Sequence, residues 1–320
     1  VRIPGILICV FAITAAVFPA VPPARAALPG VGGFRVIYQA DSVYHHIVVA
    51  EDAVARYLRF DRSFQSGMYL HDPYDSPFLY PAYAHLALIF RPQARRVLVV
   101  GLGGGSIQKR LWRDYPEMTV QTAELDPMVV AVARRFFAVP EDPRLPVAVQ
   151  DGRQFLLRTP QRYDLIVLDA YFADAIPFHL TTVEFVRLVR SRLAPEGVVV
   201  SNIIGALGGS RSALFRAMYK TFGQVFPGLY PFPTAFRPYR DTDAIRNILL
   251  VATAEAGLSR DQILARARQV APRITYPEFV RYAADYYDAP IPTADVPLLT
   301  DDYAPVDTLL PVWQWTPPRR

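Results

Sequence analysis

The sequence holds one cysteine, Cys9, and only two lysines, Lys109 and Lys220. Cys9 lies in an apolar N-terminal segment, so a cysteine nucleophile, a disulfide framework and a thiolate metal site are excluded from the rest of the chain. The formal charge of +5 is carried almost entirely by arginine. No long run of like charges and no basic stripe interleaved with aromatics accompanies it. A preference for arginine accounts for the charge, and no nucleic-acid partner is expected. The histidines, His45, His46, His71, His85 and His179, lack the spacing of a metal site, and no metal is expected. Ser106 has no Gly-x-Ser-x-Gly elbow around it and reads as a helix-start residue, not a nucleophile.

What is present divides the chain into four parts. Residues 1–26 run from Arg2 through an apolar stretch to Ala24-Arg25-Ala26, the order of a secretory signal peptide. The expectation is an exported or periplasmic protein. An uncleaved anchor with membrane association through the N-terminus is the alternative, and a cytoplasmic location the third. Residues 33–72 alternate short β-prone runs with turns, predicting a small antiparallel β domain. From 80 to 290 the rhythm changes: an apolar helix from about Ala82 to Phe90, then branched runs alternating with helical stretches. That pattern predicts a mostly parallel sheet with helices on both faces. Ser210 to Phe226 reads as an amphipathic helix, and Ser259-x-x-Gln262 opens a capped one. Residues 291–320 read as an irregular tail, with Asp301 and Asp302 in a solvated acidic loop; the alternative is that they replace, from the tail, acids missing elsewhere in the site.

In a parallel sheet, ligands bind outside the carboxyl ends of the strands, and the polar clusters of this sequence fall there. Gly101-Leu-Gly-Gly-Gly105 follows one strand, so backbone can approach a ligand where side chains would block it. Glu124, 23 residues beyond Gly101, ends the next strand, where a carboxylate can accept both hydroxyls of a ribose. The compact loop, lacking the third spaced glycine of dinucleotide sites, favours an adenosyl sulfonium compound. Asp151-Gly152 ends a third strand and offers an acceptor for an adenine amino group. Asp126-Pro127 reads as a helix cap followed by a first-turn proline. Asp169 ends a fourth strand, and Asp174 follows it five residues later.

Tyr44-His-His-Ile-Val48, Phe60-Asp-Arg-Ser-Phe-Gln65, the glycine loop, Glu124-Leu-Asp-Pro127, Asp142-Pro-Arg144, Asp151-Gly152, Tyr163-Asp-Leu-Ile-Val-Leu-Asp169 and Thr182-x-Glu-Phe185 stand in one order. In that order the chain resembles the spermidine synthases, the polyamine aminopropyltransferases. Thr300-Asp-Asp-Tyr303 and Asp169-Ala-x-x-x-Asp174 resemble the divergent branch often fused to membrane segments. The resemblance implies a Rossmann-like class I methyltransferase fold. It implies that Gln65, Glu124 and Asp151 hold the nucleoside together with Gly101, Gly103, Gly105 and Gly152. Tyr80 would orient the amine acceptor, Asp169 would take its proton, and Asp174 would contact the substrate. No cofactor would be tightly bound, and decarboxylated S-adenosylmethionine or S-adenosylmethionine itself would be the co-substrate. A small-molecule amine would be the partner, and a homodimer is compatible with the family.

Three departures bear on the substrate. Gly104 stands where the family loop carries an Asp for the donor's amine, Phe172 stands where a second strand-end Asp is usual, and Pro81-Ala82 replace a His-Glu pair. Each removes a carboxylate that would pair with an ammonium, and an unpaired buried ammonium is costly. Aminopropyl transfer to a di- or polyamine is the first expectation. Methyl transfer from intact S-adenosylmethionine is the second, and a noncatalytic exported nucleoside- or polyamine-binding protein the third.

Overall fold

The protein is described here from a computed structural model covering residues 33–172, 175–237 and 239–310. The expected signal segment 1–26, Asp174 and residues 311–320 of the tail lie outside these. Four strands come first: β1 Arg35–Asp41, β2 His46–Glu51, β3 Ala55–Phe60 and β4 Ser63–Tyr69. They pair antiparallel in chain order as one sheet. Next comes α1, Tyr80–Ala84, running into a 3₁₀ turn at His85–Ile89. The expected single helix from Ala82 is thus earlier and split, because Pro81 fits the first turn, where no N–H is needed.

The second sheet is built by β5 Arg96–Val100, β6 Thr119–Glu124, β7 Val147–Val149, β8 Tyr163–Leu168 and β9 Leu193–Gly205. β10 Gly228–Pro233 and β11 Arg246–Thr253 complete it. The order is β10-β11-β9-β8-β5-β6-β7, with the five strands from β9 to β7 parallel and β11 antiparallel to both of its neighbours, β9 and β10. Helices α2 Ser106–Asp114, α3 Pro127–Phe136, α4 Gly152–Arg158, α5 Val183–Ser191 and α6 Ala213–Gly223 connect the strands. α7 Arg260–Val270, α8 Phe279–Ala283 and the short α9 Val306–Leu309 follow. The fold is the expected Rossmann-like class I methyltransferase arrangement behind a small antiparallel sheet. β10 gave no strand signal because it contains Pro231 and Pro233; at the sheet edge a missing N–H leaves no ladder bond unmade.

Alternation along the central strands builds two cores. Val97, Val99, Leu165 and Val167 join one apolar cluster, while Leu98, Val100, Ile166 and Leu168 join the other. The first cluster continues into Ile47, Val49, Leu58 and Phe60, so the N-terminal sheet shares a core with α1 and the face of the large sheet. Among the described residues no helix is long and apolar enough to cross a membrane.

Candidate active site

The strand order reverses direction between β5 and β8, and the chain places the glycine loop after one and Asp169 after the other. Such a switch point opens a crevice at the carboxyl ends of a parallel sheet. The two loops touch. Gly101 has φ +97°, and a Cβ there would stand 2.3 Å from the Asp169 carbonyl oxygen. Only glycine lets the loop pass this close to the strand-end acid.

Glu124 is buried at the end of β6, and both its oxygens accept backbone N–H groups: Oε2 from Leu102 at 2.8 Å and Oε1 from Asp126 at 2.9 Å. Burial pushes its carboxyl up to about 7 against those donors. Asp126 caps α3 through Met128 N, as its sequence context predicts. Its second oxygen is buried without a hydrogen-bond partner, and so is Nδ1 of His45 from the N-terminal sheet, whose ring feels the Asp126 charge. His45 stacks on Phe60 at 4.0 Å between ring centres and meets Phe172 at 4.9 Å. At the position where the family carries a second acid, Phe172 thus stands half-exposed against the His45 ring.

Asp151 ends β7 and caps α4, accepting Gln154 N at 2.9 Å and His179 Nε2 at 2.8 Å. Burial pushes its carboxyl up, but these donors outweigh it and hold the group below the usual carboxylate range. Gly152 sits against Val100, with 2.3 Å from a Cβ to a valine methyl, so the helix start packs onto β5.

Asp169 retains a partly accessible face, yet the protein around it pushes its carboxyl up to about 7, against one donor, Asn202 Nδ2 at 2.8 Å. Asn202 is itself fixed by Asn247 Nδ2 at 3.0 Å on its carbonyl oxygen, which leaves its amide hydrogens for Asp169. The Tyr171 hydroxyl donates to Asn202 O at 2.8 Å and accepts from Ile204 N at 3.1 Å. Tyr80 opens α1 and donates to Gln65 O at 3.2 Å. Burial first, and then the nearby Asp169 charge, keep both phenols protonated.

Ser66 joins the two ends of this arrangement. It is buried, its hydroxyl accepts from Gly104 N at 2.9 Å, and it stands beside the Tyr80 phenol, whose own hydrogen bond goes to Gln65 O. A Cβ on Gly104 would lie 2.9 Å from Ser66 Cβ and 3.0 Å from the Phe137 ring. The space an acidic side chain would need at this loop position is therefore already filled. Ser66, Asn202 and Tyr171 have no part in the sequence expectations, and His45 enters them only within a family motif and as a histidine without metal spacing. Asn202 alone left a usable signal, a polar residue just beyond the branched run Val198 to Val200.

The described tail is largely irregular, and the acids of its loop, Asp301 and Asp302, are exposed. Asp301 is not simply solvated: it accepts a two-pronged pair from Arg153, at 2.7 and 2.6 Å, and the Thr182 hydroxyl at 2.7 Å.

The family model described as Spermine/spermidine synthase domain matches residues 80–242. A polyamine aminopropyltransferase of Vibrio vulnificus is 30% identical over 87% of this chain and 93% of its own length. An N-terminal histidine N-methyltransferase of Emericella nidulans is 27% identical over 70% of this chain and 43% of its own. Among solved structures, a probable spermidine synthase from Corynebacterium glutamicum superposes with a TM-score of 0.63 at 20% identity, covering 81% of this chain and 98% of that one. The chain belongs to the spermine/spermidine synthase family, and it is an enzyme of the aminopropyltransferase type.

Proposed function

We propose that the protein transfers an aminopropyl group from decarboxylated S-adenosylmethionine to a di- or polyamine, with Asp169 as the base. The observation that carries this is Asp169 itself: a partly accessible carboxylate held on one side by Asn202 and flanked by Tyr80 and Tyr171, on a backbone that touches the glycine loop. In this reading Glu124 takes the ribose hydroxyls, Gln65 and the glycine loop line the nucleoside, and Asp151 accepts from the adenine amino group. The unpartnered Asp126 oxygen and His45 nitrogen offer further polar capacity beside the ribose.

The chemistry asks little beyond alignment. An ammonium acceptor gives a proton to Asp169, whose raised carboxyl can take it near neutral pH. The freed amine attacks the carbon beside the sulfonium, the carbon–sulfur bond breaks, and its electron pair stays on sulfur, which leaves as methylthioadenosine. Tyr80 and Tyr171 remain protonated and orient the nucleophile.

Gly104 supports a second reading. With Ser66 and Phe137 filling its surroundings, no carboxylate there repels the carboxylate of intact S-adenosylmethionine, so methyl transfer is the competing activity. Incubation with each labelled donor and putrescine separates the two. Spermidine and methylthioadenosine are expected from the decarboxylated donor; methylated product alone would reverse the order of the readings. Tight binding without turnover, unchanged by Asp169→Asn, would instead favour a binding protein. Export remains a proposal from residues 1–26, checked by fractionating cells that carry a C-terminal tag.

A further inference from the structure

The described residues of the C-terminal segment do not reach Asp169, yet one of them is tied to the opposite end of the site. Asp301 receives both terminal nitrogens of Arg153, the first residue after the Gly152 start of α4. The same Arg153 Nη1 donates to the His179 carbonyl at 3.1 Å. Asp301 also receives the hydroxyl of Thr182, the residue that caps α5, and its own N–H reaches Glu184 at 3.0 Å. Val183 N donates to Leu299 O at 2.9 Å, so the tail is sewn to the start of α5 by backbone as well. The Asp301 carboxylate joins the start of α4, through Arg153, to the start of α5, through Thr182, and Arg153 in turn holds the adjoining 3₁₀ turn at Phe178–Leu180.

The consequence falls on Asp151. Its Oδ1 is committed to capping α4, and its Oδ2 faces His179 Nε2 at 2.8 Å. Against an ionised carboxylate that nitrogen must be the donor, so the His179 ring fixes the plane in which Asp151 presents its remaining lone pairs. What aims the ring is the 3₁₀ turn, and what holds the turn to α4 is Arg153, pinned by Asp301. A planar guanidinium bound at both prongs has little freedom to turn, which makes it a better spacer than a single contact would be.

We propose that Asp301 is a positioning residue for nucleobase recognition: through Arg153 and the 178–180 turn it sets His179 against Asp151, so that Asp151 accepts from an amino group on the base and rejects a carbonyl there. This rests on the reading of Asp151 as the adenine contact given above. The tail thereby acts on the nucleoside end of the site and not on proton transfer.

Calorimetry with methylthioadenosine and with its 6-oxo counterpart, methylthioinosine, tests it on the full chain. The wild type should prefer the amino form by about a hundredfold, the size of discrimination a partly buried acceptor imposes on a mismatched edge. Asp301→Ala should cut that preference to about tenfold, mainly by weakening methylthioadenosine, as expected when one charge-assisted contact loses its alignment. The exchanged pair Arg153→Asp with Asp301→Arg should recover most of the preference. On an Asp151→Asn background, Asp301→Ala should add nothing further, because both changes act through one carboxylate. Preference surviving in Asp301→Ala, equal loss of both nucleosides, or full additivity with Asp151→Asn would overturn the proposal. A wild type that binds neither nucleoside would overturn the reading of the pocket beneath it, a separate and recognisable failure.

Discussion

Glu124 and Asp169 are both strand-end acids pushed to about 7 by burial, but they are held in opposite ways. Glu124 is gripped by two backbone N–H groups whose positions follow from the strand-loop-helix path, and only the loss of local structure could release it. Asp169 has one side-chain donor, Asn202, and a partly accessible face. A carboxylate locked by the backbone is suited to receive fixed hydroxyls. One with a single adjustable partner and open lone pairs is suited to gain and lose a proton. The two ends of the site thus differ in rigidity more than in charge, and that difference can be attacked experimentally.

The largest effect should come from Asp169→Asn, with turnover falling about a thousandfold, as for removal of a general base. Nucleoside affinity by calorimetry should stay within about twofold, since the variant touches no proposed nucleoside contact. Equal loss of binding and turnover would erase the contrast between the two acids. Glu124→Gln should do the reverse and weaken methylthioadenosine by about a hundredfold, because a neutral amide presents an N–H to one of two fixed N–H donors. Its melting temperature should drop by a few degrees for the same reason.

The pH dependence is a finer test. With Asp169 needed unprotonated, the rate at saturating substrate should rise about tenfold per pH unit below about 7 and level off above it. Stability should run the other way. Since the folded carboxyl lies above its ordinary value, its contribution is complete below about pH 4 and is lost as pH rises through about 7. Asp169→Asn should therefore melt with the wild type near pH 4 and about 2–5 °C above it at pH 8. A rate limb retained in Glu124→Gln would assign the titration to Asp169; its disappearance would assign it to Glu124.

Ser66→Ala should give the smallest effect, a loss of about fivefold in turnover, because it frees Gly104 N and one Tyr80 contact without removing an acid. If nucleoside binding falls and turnover does not, Ser66 serves the glycine loop and not the tyrosine.

The legible part of the molecule is the part built by neighbours in sequence. Branched runs ending in Gly101, Glu124, Asp151 and Asp169 revealed the parallel sheet and its ligand edge, since strand periodicity and helix caps are local properties. Ser259-x-x-Gln262 could be read as a capping box for the same reason, and the box is formed. β10 could not, because its prolines are tolerated only at an edge whose existence depends on the whole sheet. Nor could the surroundings of Asp169, where Asn202 arrives from 33 residues away and is oriented by Asn247 from a further strand.

By itself the sequence determined the strand-loop-helix repeat, the glycine loop and which acids end the strands, because each follows from periodicity, turn chemistry and local capping. Tertiary packing decided how those acids behave. Burial raised Glu124 and Asp169, donors from β9 and the 178–180 turn fixed Asp169 and Asp151, and Ser66 with Phe137 closed the space beside Gly104. It also made Asp301, still exposed, a tie to an arginine 148 residues away. Desolvation and hydrogen bonding depend on what the fold brings near a group, and no local pattern encodes that.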